Sequence, residues 1–470
     1  MRRYFLALVT SLTLASSFAQ GEPTIVWAPQ ALKTSSGATV PSEMGWLEVP
    51  ERHGQPDGGK IRLPVVRLRA TGPNPGPPIL WLAGGPGEAG TRRLASSYPL
   101  FEALRVYGDV IAFDQRSTGA AEPSLAVPGQ FDLPADKSIE SDEARLRLAE
   151  MGRKIHDTIR ARGIDLDAYN TSESADDVEA LRQALGADTI VLAAHSYGTH
   201  LALATIKRHG RHISRAILAG VSGLEDRWRE PASSDRWLEG VATAMRNDPS
   251  APDFVAQVKR VFAQLEKDPI LVRQPQGDIL IGKSEIQELV VLRSGDLSFI
   301  RTLPTLFGNL EKREKTEDIA RLIQQAIRQR PIGTAMTYAM HVASGLSPER
   351  SRAIAAQADS AIFGNAINWG IGDPGFVEAL NVADLSPSFR AGFPSRVPVL
   401  FVSASLDGRS SEADAHRVGR QFSRANYVTI EGASHDLLFR TLPPGLMDRV
   451  TAFLKDEGPS NMRIEVPVRF

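Results

Sequence analysis

The 470-residue chain has no cysteine. That excludes a thiol nucleophile, thiolate-bound zinc, iron–sulfur clusters and lipid attachment at a cysteine, and it leaves stability to the core rather than to disulfides. The chain also lacks a charge imbalance: 54 Lys and Arg stand against 55 Asp and Glu, a formal net charge of −1. Nothing in that balance implies nucleic acid or an anionic membrane surface as a partner. Aromatic residues make up only 7% and form no basic–aromatic stripe. Past the N-terminus no stretch approaches the ~18 consecutive apolar residues of a membrane span, and no internal repeat is visible.

What is present is ample core material, 42% hydrophobic. A chain of this length implies two or three domains, or one large α/β domain carrying an insertion. The N-terminus has the pattern of a removable secretory signal: Arg2 and Arg3, an apolar stretch over 5–14, then small residues Ser17 and Ala19 around Phe18. A signal over 1–19 cleaved near Ala19-Gln20 predicts a periplasmic or secreted protein without a membrane anchor after cleavage.

Residues 20–42 read as an irregular lead-in. Alternating apolar residues predict strands at 45–50 and 60–70, separated by the turn chemistry of Gln55-Pro56-Asp57-Gly58-Gly59. Wholly apolar runs at 79–83, 110–113 and 190–194, with a strand at 214–218 and helices at 174–185 and 199–208, predict a mainly parallel sheet covered on both faces. From 222 to 390 the alternation breaks. Helical spacing there covers 236–246, 251–266, 283–292, 315–328 and 348–360. Strand and helix then resume at 397–402, 411–422, 427–430 and 443–455. The expected organisation is an α/β core over 40–221 and 391–457, a large helical cap over 222–390 inserted between strands 6 and 7, and a tail over 458–470 that alternates like a strand over Met462–Phe470 but is read as pendant.

The most informative segment is Ala194-His195-Ser196-Tyr197-Gly198. An apolar strand stops at Ser196 and a small-residue helix begins behind it. This is the arrangement of a nucleophile elbow, where a tight strand–helix turn holds a serine hydroxyl above the sheet and the flanking positions must be small. Asp407 and His435 follow later strands, and ligands in open α/β sheets bind beyond the carboxyl ends of strands. The chain order Ser196, Asp407, His435 suits nucleophile, orienting acid and base. His195 and His200 are expected to point away and pack. His209 and His212, beside Lys207, Arg208 and Arg211, read as a basic helix terminus rather than metal ligands.

Gly84-Gly85-Pro86-Gly87 follows a strand but lacks the Gly-Lys-Ser/Thr ending of a phosphate loop, and Pro86 removes a backbone donor. It reads as an oxyanion loop, with Gly85 N–H and Tyr197 N–H as the donors. No cofactor and no metal is implied.

Together, Ala83-Gly84-Gly85-Pro86-Gly87, Phe113-Asp114-Gln115-Arg116, the helix around Ser174–Arg182, Leu406-Asp407-Gly408-Arg409 and Gly432-Ala433-Ser434-His435-Asp436 resemble the prolyl and tripeptidyl aminopeptidase family of α/β-hydrolases. Ala83, Ala194 and Ser117 depart from that family's loop His, elbow Gly and Gly after Asp-Gln-Arg. The resemblance implies a serine hydrolase that removes N-terminal residues from short peptides, with Ser196, Asp407 and His435 as triad, Gly85 and Tyr197 as oxyanion donors, and Asp114 and Arg116 as braces. It also implies carboxylates that hold the substrate ammonium. Glu225, Asp226 and Glu230 are the candidates. Without such an anchor the same machinery cleaves small acyl esters, so a carboxylesterase is the alternative. A silent binding protein on the same fold is a third reading. Small peptides or esters are the expected partners.

Overall fold

Side-chain alternation builds one edge of the sheet and unbroken apolar runs build its centre. The computed structural model describes residues 23–246, 253–275, 277–437, 442–458 and 461–470; the expected signal over 1–19 lies outside them. The main sheet consists of β1 (Ala28–Lys33), β2 (Thr39–Pro50), β3 (Lys60–Leu68), β4 (Ile79–Leu82), β5 (Val110–Phe113), β6 (Ile190–His195), β7 (Ile213–Ala219), β8 (Val399–Ala404), β9 (Ala425–Glu431) and β10 (Met462–Glu465). Its spatial order is β1-β2-β3-β5-β4-β6-β7-β8-β9-β10. The contacts β1–β2, β2–β3 and β3–β5 are antiparallel. All the others are parallel. Every residue of β4, β5 and β8 is buried, as expected for parallel strands covered by helices on both faces.

Two expectations are corrected at the ends of the chain. The supposedly irregular lead-in contributes β1, which pairs Ala28 with Met44 through Lys33 with Thr39. The tail is not pendant: β10 pairs in parallel with β9, Val428 against Met462 through Glu431 against Glu465, and its Ile464 side chain is buried. Four residues of backbone pairing and one buried side chain were too little pattern to place from sequence. The extra first strand also shifts the count, so the helical insertion falls between β7 and β8.

The insertion contains the helices Ala232–Met245, Phe254–Lys267, Lys283–Leu292, Thr316–Ile323 and Pro348–Ala358, close to the expected ranges, with a π-helical turn at Gln324–Arg328. It also contains a small hairpin, Ile270–Val272 against Ile279–Ile281. The cap is not a closed insertion. Strand Pro331–Thr334 pairs with Ala126–Gln130 from the first part of the chain. Helix Asp142–Arg160 packs so closely on helix Pro374–Leu380 that a Cβ at Gly152 would lie 2.7 Å from Phe376 O. Residues 126–160, expected within the core, therefore join the cap. A buried ion pair, Arg328 to Glu285 at 3.1 Å, helps tie them: Glu285 also accepts the Ile139 N–H at 2.8 Å.

Candidate active site

The register of the central strands brings the loops of the candidate residues together. Leu82 of β4 is paired with Ala194 of β6, so the chain two residues beyond each, Gly84 and Ser196, emerges side by side. A Cβ on Gly84 would sit 3.1 Å from Ser196 Cβ and from His195 O. Ser196 occupies the turn itself, with φ 56° and ψ −125°, a strained conformation that non-glycine residues adopt mainly at functional sites. The turn is held by Ser196 N–H donating to Ala219 O (2.9 Å) and by Thr199, whose hydroxyl donates to Ser196 O (2.6 Å). Gly198 cannot be larger: its Cβ would lie 2.0 Å from Leu82 O. Ala194 is buried in the strand without strain, which explains why the elbow accepts it.

Asp407 and His435 follow β8 and β9, neighbours paired from Val399–Ala425 to Ala404–Ile430. Their side chains meet, His435 Nδ1 to Asp407 Oδ2 at 2.7 Å. Asp407 Oδ1 accepts the backbone N–H of Arg409 (2.7 Å) and of Ser410 (2.9 Å), and Ser410 Oγ donates to Oδ2 (3.0 Å). Burial pushes this carboxyl up, but the His435 ring and those hydrogen bonds more than reverse it, so Asp407 is held below the usual carboxylate range. Gly220 makes room for the ring: a Cβ there would be 2.9 Å from His435 Cε1. Ser196 and His435 line one cavity of about 390 Å³, together with Gly84, Gly85, Glu88 and Arg409 among others.

The glycine loop expected to hold an oxyanion is fixed from three sides. Gln115 Nε2 donates to Ala83 O (3.0 Å), Gly84 N–H donates to Glu88 Oε2 (3.3 Å), and Thr337 Oγ1 of the cap donates to Pro86 O (2.8 Å). Gly85 has φ +106°, a region that favours glycine. Tyr197 is pinned by its side chain, whose hydroxyl lies 3.1 Å from Thr171 Oγ1 and 3.1 Å from Met340 Sδ. Among the described residues no protein acceptor takes the backbone N–H of Gly85 or Tyr197. Two unspent donors beside the elbow serine suit the negative oxygen of a tetrahedral intermediate. Asp114 and Arg116 lie behind this layer. Asp114 accepts from Thr91 N–H (2.9 Å) and Ala120 N–H (3.0 Å), and the buried Arg116 is bidentate to Asp177 (2.6 and 2.8 Å).

A family model for the alpha/beta hydrolase fold matches residues 77–440. The chain belongs to this family. Curated relatives of the hydrolase include serine protease Hip1 of Mycobacterium tuberculosis, 28% identical over 218 residues (43% of this chain, 40% of that protein). Tripeptidyl aminopeptidase of Streptomyces coelicolor is 28% identical over 190 residues (38% and 35%). Carboxylesterase B of Mycobacterium tuberculosis is 29% identical over 261 residues (52% and 48%). In each case the hydrolase matches less than half of the relative's length.

The expected ammonium anchors do not reach the serine. Among the residues described around the Ser196 cavity, Glu225, Asp226 and Glu230 are absent. Glu225 accepts the Ser347 N–H (2.8 Å). Asp226 is paired with Arg417 (2.6 Å) and Arg350 (3.3 Å), and Glu230 with Arg350 (3.4 Å). They brace the cap to the core: two of them line a separate cavity of about 270 Å³ behind Asp407. The carboxylates that do line the Ser196 cavity are Glu88, Asp296 and Asp436, none of them singled out by sequence. Glu88 stands in the glycine loop and Asp436 next to the base, so proximity to the motifs was the available signal; Asp296 comes from the cap and had none.

His195 is a second correction. It does not point away from the hydrolase site: its ring centroid lies 4.7 Å from that of His435, and its Nε2 is 3.2 Å from His435 O. Burial, the His435 ring and Arg93 bring it down to about 3, so it is neutral and packs against the His435 ring without titrating near neutrality. His200 is buried, with Nδ1 2.8 Å from Gly223 O. His209 and His212 pair with Asp176 (2.7 Å) and Glu179 (3.0 Å).

Proposed function

We propose that the protein is a serine hydrolase that releases N-terminal residues from short peptides through an acyl-enzyme. The observation that supports this most is the joint lining of one cavity by Ser196, on its strained elbow, and His435, whose far nitrogen is held by Asp407 at 2.7 Å. In this reading Ser196 Oγ attacks the scissile carbonyl carbon while His435 Nε2 takes the hydroxyl proton. Asp407 keeps the Nδ1 proton in place and stabilises the imidazolium. Gly85 and Tyr197 N–H hold the oxyanion. His435 then protonates the leaving amine, and water, activated by the same imidazole, releases the acid. Glu88, Asp296 and Asp436 are the carboxylates placed to meet a substrate ammonium. The names of relatives Hip1 and tripeptidyl aminopeptidase add support for peptide substrates.

A carboxylesterase is the second reading. It is favoured by the pairing of two of those carboxylates, Glu88 with Arg93 and Asp296 with Arg293 (2.6 Å), which leaves them less available to an amine. The relative named carboxylesterase B is in keeping with it. Comparing an alanyl or prolyl arylamide with its N-blocked form and with a short acyl ester decides between them. Strong preference for the free amine supports the peptidase; equal or better turnover of the blocked amide or the ester removes it. We also propose export, from the signal pattern at residues 1–19; recovery of full-length, uncleaved protein from the cytoplasm of the native cell would contradict that.

A further inference from the structure

The cations and anions around Ser196 balance in number but not in pairing. Three arginines line the cavity: Arg93, Arg293 and Arg409. Arg93 is paired with Glu88 and Arg293 with Asp296. Asp407 is occupied by His435. Arg409 is left over: among the described residues its guanidinium has no carboxylate within 4 Å, and Asp407, Glu288 and Asp436 attract it only from farther away. Glu288, one of the acids that attract it, gives little compensation. Burial pushes its carboxyl up to about 8 against the pull of Arg330 and Arg409, so at neutral pH it is largely uncharged.

Arg409 is also the common wall between this cavity and the one behind Asp407. In that second space Arg350 and Arg417 are consumed by Asp226, Glu230 and Asp414. Arg229 is not: it too has no carboxylate within 4 Å among the described residues. Burial and the neighbouring Arg409 and Arg227 bring its guanidinium down to about 9. Ser222, which lines the same space, is 4% exposed, and its buried Oγ has no hydrogen-bond partner. Partly buried cations without a close counter-ion, beside an unpaired buried polar group, mark a place where an anion fits.

We propose that Arg409, with Arg229 behind it, forms a subsite for a carboxylate carried by the substrate. This rests on the hydrolase reading and narrows its substrate class to acyl or peptidyl compounds with an acidic group close to the scissile bond. The planar guanidinium fork matches a carboxylate bidentately, which a lysine could not reproduce. The backbone N–H of Arg409 already orients Asp407 at 2.7 Å, so the residue that reads the substrate is rigidly tied to the catalytic acid.

The carboxylate can belong to the acyl part or to the leaving part, and two matched pairs separate these sources. The first is the mono-p-nitrophenyl ester of glutaric acid against p-nitrophenyl valerate. The second is alanyl-alanine against alanyl-alanine amide. The wild-type protein should favour the carboxylate member of one pair by about 10- to 100-fold in kcat/KM, the range of a charged hydrogen-bonded contact. Arg409→Gln should collapse that ratio toward one, and Arg409→Lys should restore only part of it. No preference in either pair, with the neutral members still turned over in a Ser196-dependent way, overturns the subsite and leaves the hydrolase reading intact. A preference unchanged in Arg409→Gln also overturns it. Turnover unaffected by Ser196→Ala overturns the hydrolase reading and the subsite with it. Should Arg409→Gln not fold, inhibition of wild-type valerate ester hydrolysis decides: glutarate should compete and glutaramide should not, and equal effects of the two contradict the proposal.

Discussion

His435 Nδ1 and Asp407 Oδ2 stand 2.7 Å apart at the carboxyl ends of adjacent parallel strands, and the acid is held below the ordinary carboxylate range although it is buried. The charged form of Asp407 is therefore built into the fold. Asp407→Asn preserves the shape of the side chain but removes the charge that fixes the imidazole tautomer. It should lower kcat by about 10³- to 10⁴-fold with little change in KM. Steady-state kinetics on whichever ester or arylamide the wild type prefers checks this; a loss under tenfold would remove Asp407 from its role.

The elbow has one position that tolerates no side chain and one that does. Gly198→Ala places a Cβ 2.0 Å from Leu82 O, backbone that cannot move without parting β4 from β6. Overpacking of this kind costs about 1–3 kcal/mol or more, so the variant should melt several degrees lower and lose activity. Ala194→Gly restores the more common elbow residue and should leave activity within about twofold, with at most about 1 kcal/mol lost to strand flexibility. Thermal melts of both variants, run together, check the contrast.

That contrast also shows how far the sequence could be read. Ser196, Asp407 and His435 were legible because each sits in a short local signal, an apolar run broken by small residues. Parallel β-pairing then brought these three loops to one edge of the sheet. The substrate side was not legible. Glu225, Asp226 and Glu230 look like free acids in sequence, but Arg350 and Arg417, more than a hundred residues away, neutralise two of them. His195 was expected to point away because only the serine was assumed to face the cavity. Its ring instead packs on His435, a contact made by the loop after β9. The strand β1 escaped and β10 lost its place because edge strands bury few side chains, and alternation alone does not name a pairing partner.

Thr337 tests the tie between cap and oxyanion loop. Its hydroxyl donates to Pro86 O at 2.8 Å, next to Gly85, the proposed oxyanion donor. Thr337→Val deletes that bond while keeping the shape. As a positioning residue it should lower kcat several-fold with KM nearly constant, and Thr337→Ser should recover most of the loss. Equal falls in the valine and serine variants would point to packing alone.

Acid stability should report on Asp176. Burial raises this carboxyl, but hydrogen bonds from His209 and Arg208 carry it from the ordinary 3.8 down to about 2. A carboxyl depressed in the folded state contributes stability that is complete above its unfolded value and fades as pH falls through its folded value. The difference in unfolding free energy between wild type and Asp176→Asn should thus be constant near neutrality and shrink between pH 3.8 and about 2. Urea titrations across that window check it; a difference that grows with acid contradicts the assignment.

The central claim is that Ser196 is a nucleophile activated by His435. Labelling with a fluorophosphonate, read by intact mass and peptide mapping, tests it without knowledge of the substrate. The account predicts a single phosphonyl adduct on Ser196, absent in Ser196→Ala and formed at least about 100-fold more slowly in His435→Gln, since general-base assistance is worth about 10²–10⁴-fold. A folded wild-type protein that takes no adduct at Ser196, or labels there equally fast without His435, would contradict it.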